Sequence, residues 1–166
     1  GGMMEHIVIV DDEPMVLKAI GRLLRLIPCV FDGQRYELEL HPYTDPLLAL
    51  HHVKSHAVSM VLSDYRMPEM DGVSLLSECL AQQPSAIRLI ISGYADLDAL
   101  VAAINRAQIY RFISKPWRDY ELVTTLAQAL RHRQLMLENQ KLADICRLQM
   151  KTLSAQDREL KRLEEM

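Results

Sequence analysis

Val58-Ser59-Met60-Val61-Leu62-Ser63-Asp64-Tyr65-Arg66-Met67-Pro68-Glu69-Met70-Asp71-Gly72 is the stretch that decides the fold. Val58 to Ser63 is an apolar run that reads as a buried strand, and Tyr65 to Gly72 is a turn-rich loop leading into a helical pattern. Asp64 therefore falls at the carboxyl end of a strand, where open α/β sheets bind their ligands. A carboxylate exposed on a loop at that point is free to act as nucleophile, base or metal ligand.

Strand and helix signals alternate on both sides of this stretch. Ile7-Val8-Ile9-Val10 is β-branched with no polar alternation, as expected of a strand buried on both faces. Pro14 suits the first turn of a helix, which Val16, Leu17, Ile20, Leu23, Leu24 and Ile27 continue at helical spacing until Pro28 ends it. A polar connection through Asp32-Gly33 follows, then a strand from Tyr36 to His41 whose alternation with Glu37 and Glu39 places it on a sheet edge. Helices are predicted over Pro46–Ser55, Ser74–Gln83 and Leu97–Ala107, and further strands over Ile87–Ile91 and Tyr110–Ser114. Five strands alternating with helices predict an α/β fold: a parallel sheet covered on both faces, doubly wound and flavodoxin-like, of strand order 2-1-3-4-5.

The 166 residues divide, on this reading, into a tag remnant or tail at 1–4, one domain over 5–130 and an extended helix over 131–166. After Pro116 the chain has no glycine or proline for ~50 residues, which as one helix span ~75 Å. Leu135, Leu142, Cys146, Leu153, Leu160 and Leu163 fit a heptad seam diluted by Asn139, Gln149 and Gln156. The tail is expected to form a parallel dimeric coiled coil linking the domain to an output domain beyond residue 166. A monomeric helix is the competing expectation.

The hydrophobic fraction of 49% excludes disorder over most of the length, and a net charge of −3 leaves no basic footprint for nucleic acid. Cys29, Cys79 and Cys146 show neither metal nor redox spacing, which points to a reducing, cytoplasmic setting. No apolar run approaches a membrane span. His51, His52 and His56 fall at helical spacing for a metal, although a solvated helix face explains them more simply.

Function is concentrated at the strand ends. Asp11 and Asp12 follow the first strand, Asp64 the third, Ser92 the fourth and Lys115 the fifth. In a 2-1-3-4-5 sheet the first and third strands are neighbours, so Asp11, Asp12 and Asp64 converge. Clustered carboxylates repel unless they protonate or hold a cation, and Mg²⁺ suits oxygen ligands beside a phosphate. With Lys115 as a compact positive charge and Ser92 as a hydroxyl donor, Asp64 is placed to become an aspartyl phosphate. Asp71 and Asp96 read instead as helix caps or turn formers.

Val10-Asp11-Asp12-Glu13-Pro14, the Asp64–Gly72 stretch, Ile91-Ser92-Gly93 and Phe112-Ile113-Ser114-Lys115-Pro116 together resemble the receiver domain of two-component response regulators. The resemblance implies that Asp64 accepts a phosphoryl group from a sensor histidine kinase or phosphotransfer protein. It implies Mg²⁺ held by Asp12, Asp64 and the Arg66 backbone carbonyl, with Asp11 acting mainly through water. Ser92 and Lys115 would contact phosphoryl oxygens, and Phe112 falls where the family's switching aromatic sits, though plain core packing competes for that residue. Arg66 and Tyr94, each two residues beyond a strand-end group, occupy positions that tune loss of the phosphoryl group; both are bulky, and slow dephosphorylation is expected. Homodimerisation is expected through the tail or through the fourth helix, fifth strand and fifth helix, with no contact to nucleic acid or membrane. The block Ser92-Gly93-Tyr94-Ala95-Asp96, with Ile109 to Trp117, resembles a subgroup joined to cyclic-di-GMP-metabolising or sigma54-dependent outputs. Two rival readings remain: a phosphatase, which would carry its nucleophile at the first strand, and a pseudo-receiver that dimerises without phosphorylation.

Overall fold

The computed structural model describes residues 3–166, apart from the side chains of Tyr94 and Ala102. Strand β1 (Glu5–Val10) leads into helix α1 (Pro14–Leu26), followed by two short strands, β2 (Cys29–Phe31) and β3 (Gln34–Tyr36). Then come β4 (Leu38–Tyr43), α2 (Pro46–Ser55), β5 (Met60–Asp64), α3 (Gly72–Gln82) and β6 (Ile87–Ser92). A 3-10 turn at Tyr94–Asp96 precedes α4 (Leu97–Ala107), β7 (Arg111–Ser114) and α5 (Asp119–Glu164). Five strands form one parallel sheet in the order β4-β1-β5-β6-β7. Leaving aside β2 and β3, this is the 2-1-3-4-5 order expected of a doubly wound sheet.

Local chemistry sets the helix starts. Pro14 and Pro46 occupy first-turn positions, where the missing N–H has no intrahelical partner to lose. Asp45 accepts the Leu47 N–H at 2.9 Å and Asp71 accepts the Ser74 N–H at 2.8 Å, so both satisfy donors that the helix leaves open. The central strands β5 and β6 are buried along their whole length, as apolar runs without alternation require. The edge strand β4 is only partly buried. On one face of the sheet, Val8, Val10, Val61 and Ile90 pack with Ala49, Leu50 and Val53 of α2, Leu75, Leu76 and Cys79 of α3, and Leu100 and Ala107 of α4. Residues of the opposite strand phase, Ile7, Ile9, Leu62, Leu89 and Ile91, are equally buried, as are Ile20 and Leu23 of α1 and Leu122, Leu126 and Leu130 of α5.

The connection after α1 is not a plain loop. β2 and β3 pair antiparallel with Phe31 opposite Gln34, leaving Asp32 and Gly33 as a two-residue turn. Both have positive φ, 52° and 75°, the backbone of a type I′ turn, whose twist matches that of the flanking strands. Tyr36 therefore closes the hairpin, and the edge strand begins at Leu38 rather than at Tyr36 and runs on to Tyr43.

A buried arginine braces the other side. Arg88 on β6 donates to the carbonyls of Ala107 at 2.9 Å, Gln108 at 3.4 Å, Pro84 at 3.2 Å and Ala86 at 2.5 Å. Two of these close α4, whose last carbonyls lack intrahelical partners and favour a cation.

The chain divides into two compact units, one ending at Arg133 and the other comprising Gln134–Met166. In the second, Leu142, Leu153, Leu160 and Leu163 are more than half exposed on the single chain. No helix among the described residues is long and apolar enough to cross a membrane. Gly33 has nothing within 4 Å of an added Cβ, so Gly33→Ala should act through φ alone. It should lower stability by about 1 kcal/mol in urea unfolding, the cost of holding an L-residue left-handed.

Candidate functional site

Parallel register carries the chemistry to one edge. Val10 pairs with Ser63, which sets Asp11 beside Asp64, and Ser92 pairs with Ser114, which sets Lys115 one residue beyond. Lys115 Nζ donates to Asp11 Oδ2 at 2.8 Å and lies 3.3 Å from Asp64 Oδ1. The remaining Asp11 oxygen accepts the Glu13 N–H at 2.9 Å, and Asp64 Oδ1 also accepts the Tyr65 N–H at 2.9 Å. Asp12 is exposed, yet Asp11, Asp12 and Asp64 each bring an oxygen to within 4.8 Å of the others. Asp64 was expected to be exposed; it is buried, with only 7% of its surface accessible.

That burial has an electrostatic consequence. Desolvation, reinforced by the charge of Asp11, pushes the Asp64 carboxyl up to about 6, against the opposing pull of Lys115. Burial works against the charge on Lys115, but its bonds to Asp11 and Asp64 more than offset this and raise its pKa. One ammonium thus leaves the three-carboxylate cluster short of positive charge. A set of hard oxygen donors with that deficit fits a divalent cation such as Mg²⁺.

Gly72 fixes the loop after Asp64. Its N–H donates to the Tyr65 carbonyl at 2.8 Å, and a Cβ at this position would stand 2.1 Å from the Asp64 carbonyl oxygen. Only glycine lets α3 start this close to the strand end.

Ser92 does not join the acidic cluster. Its hydroxyl donates to Asp96 Oδ2 at 2.8 Å, and its carbonyl accepts the Lys115 N–H at 2.8 Å. Asp96, expected to be a helix cap or turn former, ends the 3-10 turn and holds the N-cap position of α4, but its side chain makes no cap bond. Its other oxygen accepts from Arg66 Nε at 2.6 Å and pairs with Arg66 Nη2 at 2.5 Å. The Arg66 bond, aided by Ser92, holds the buried Asp96 carboxyl below its usual range despite desolvation. The Arg66 side chain, expected to crowd the approach to Asp64, is thus engaged by Asp96. Sequence reasoning missed this link because its three members follow two different strands at no motif spacing.

Phe112 is half-buried against the core. It also lines a groove of about 600 Å³ with Leu97, Trp117, Glu121 and Leu122, between α4 and the first turns of α5. The Tyr94 side chain lies outside the described residues.

Fold and site together define an α/β domain whose five-stranded, doubly wound sheet carries an acidic cluster and a lysine at its carboxyl edge. The family model for the response regulator receiver domain matches residues 7–127, and the chain belongs to that family. The hydrogenase transcriptional regulatory protein HoxA of Bradyrhizobium diazoefficiens is 33% identical over 137 residues, 81% of this chain and 26% of the relative. HoxA of Cupriavidus necator is also 33% identical, over 75% of this chain and 24% of the relative. The chain thus spans about a quarter of the length of these relatives. The signal receiver domain of an HD domain-containing protein from Pseudomonas fluorescens is 36% identical, with a TM-score of 0.70 over 81% of this chain and 92% of that one. A receiver domain is a signalling domain rather than an enzyme in the ordinary sense.

The raised Asp64 pKa predicts an inverted pH dependence in metal-free buffer. A carboxylate whose folded pKa lies above its unfolded value costs stability as pH rises from about 4 to about 6, because the folded state holds the proton longer. Asp64→Asn should therefore raise stability by up to about 3 kcal/mol at pH 7 and by nothing at pH 3.5, followed by chemical unfolding in chelator.

Proposed function

We propose that the chain accepts a phosphoryl group on Asp64 and converts it into a change at the surface around α4, β7 and α5. The observation that carries this reading is the placement of Asp64 at the end of β5, in contact with Lys115 and within ligand distance of Asp11 and Asp12. The donor is a histidine kinase or phosphotransfer protein. An Asp64 carboxylate oxygen bonds to phosphorus as the donor's P–N bond breaks, and the electron pair leaves with the imidazole.

Asp12, Asp64 and the Arg66 carbonyl would hold Mg²⁺, with Asp11 assisting through water, and the bound ion would supply positive charge against the phosphoryl oxygens. Lys115 supplies a second positive charge on a short, already oriented reach. Burial keeps bulk water from the carboxylate, and Arg66 and Tyr94, at the sequence positions two residues beyond Asp64 and Ser92, tune loss of the phosphoryl group.

The phosphoryl group adds about two negative charges at this edge. Ser92 then has a competing acceptor, and its hydroxyl leaves Asp96 for the phosphoryl oxygens. Asp96 and Arg66 are released together at the start of α4, and Phe112 turns within the groove it lines. The surface so altered, with the exposed leucines of the tail, serves homodimerisation and passes the signal to an output of cyclic-di-GMP-metabolising or sigma54-dependent type. The setting is cytoplasmic.

Two outcomes are expected. Acetyl phosphate with Mg²⁺ should label Asp64, with the label persisting for minutes or longer by mass spectrometry, and Asp64→Ala should take none; a half-life of seconds would contradict the role given to Arg66 and Tyr94. Asp96→Ala frees the Ser92 hydroxyl in advance and should tighten beryllofluoride binding several-fold in a fluorescence titration.

A further inference from the structure

Near the start of β1, three potential metal ligands converge that have no part in phosphoryl transfer. His6 Nδ1 lies 3.0 Å from His41 Nε2 and 3.4 Å from Glu39 Oε2. The register between β1 and β4 sets His6 opposite Glu39, and His41, two residues on, shares the face of Glu39. One ligand atom from each residue falls within 4.8 Å of the other two.

A tetrahedral Zn²⁺ ion with bonds of ~2.0–2.1 Å holds its ligand atoms about 3.3 Å apart. The two separations from His6 Nδ1 lie on either side of that value, and the third lies within 4.8 Å, so an ion could draw the three together with small adjustments. Two imidazoles and a carboxylate are the borderline donor set that zinc takes, whereas Mg²⁺ prefers oxygen throughout. The His6 and Glu39 side chains are 40% and 54% exposed, which leaves an access route and room for a water as fourth ligand.

The more enclosed ligand is held from behind. The His41 ring packs against His52 with centroids 4.6 Å apart, and His52 Nδ1 is fixed by the Tyr43 hydroxyl at 2.6 Å. His52 in turn stacks on His56, also at 4.6 Å. This layer of rings packs against the ligand and limits where its imidazole can turn. Of the helical trio His51, His52 and His56 that the sequence offered, His52 and His56 form this layer without supplying ligands, and His51 is exposed outside it.

We propose that His6, Glu39 and His41 form a Zn²⁺ site that clips the edge strand β4 to β1, roughly 16 Å along the strand from Asp11. The site is separate from Asp64 and does not rest on the phosphorylation reading. An ion bound only by the folded chain stabilises it, so zinc would strengthen the exposed edge of the sheet.

The test uses the chelator-treated 166-residue protein in excess Mg²⁺, which competes for the acidic cluster. Zinc is titrated against a chromophoric chelator, and Co²⁺ is used in parallel as a spectroscopic stand-in. One Zn²⁺ per chain should bind at micromolar concentration or tighter, and Co²⁺ should give the intense visible bands of a four- or five-coordinate site. His6→Gln, His41→Gln and Glu39→Gln should each weaken zinc at least tenfold, with metal-free unfolding and circular dichroism confirming the fold; Glu39 is the most exposed of the three and disturbs packing least. Asp64→Ala and His51→Gln should leave zinc affinity unchanged. The proposal is overturned if no stoichiometric zinc binds, if affinity survives both Glu39→Gln and His6→Gln, or if Asp64→Ala abolishes it.

Discussion

The rest of the functional edge depends on the Lys115 ammonium between two buried carboxylates. Asp11 and Asp64 come from neighbouring strands, and either one ionised raises the cost of ionising the other. Lys115 reaches both from the end of another strand, 104 residues beyond Asp11 in the sequence, and makes the buried pair tolerable without neutralising it. The residual negative charge gives the site its chemistry. A fully compensated pocket would have no affinity for a cation, and an uncompensated one would protonate or open.

A second, smaller circuit lies beside the first. Ser92, Asp96 and Arg66 form a linked set in which the Ser92 hydroxyl and both Asp96 oxygens already have partners. The two circuits share a border, because the Ser92 carbonyl receives the Lys115 N–H while its hydroxyl faces Asp96. Buried polar groups exchange partners only when another of comparable strength arrives. In the proposed mechanism a phosphoryl oxygen is such a partner, which makes the serine a selector between two arrangements rather than a passive ligand.

Features governed by neighbours in sequence were legible in advance. Apolar runs marked the strands, and proline and aspartate marked the starts of α1, α2 and α3, because caps and first-turn prolines act over three or four residues. The hairpin at Asp32-Gly33 also had a local signal, but its strands of three residues were too short to show alternation. The burial of Asp64 was not legible, since it follows from the closeness of Gly72 and from Lys115 across the sheet. Asp96 holds the cap position expected of it, but its side-chain partners were not legible, for a related reason. After a strand it has the look of a cap, and only the folded sheet brings Ser92 and Arg66 to it. His6 and His41, 35 residues apart, meet only through strand pairing, while two of the histidines with evident helical spacing, His52 and His56, stack behind them.

Arg88 adds a mechanical consequence. Its bonds to the carbonyls of Ala107 and Gln108 moor the carboxyl end of α4 to the middle of the sheet, while the amino end begins at Asp96. The helix is thus a rod pivoted at one tip and loaded at the other. A shift of about 1 Å at Asp96 on a rod of about 16 Å becomes a tilt of about 4° instead of a translation. Such a motion is largest at Leu97, beside the groove that Phe112 lines, and fades toward the pivot, so a partner reading this surface senses an angle.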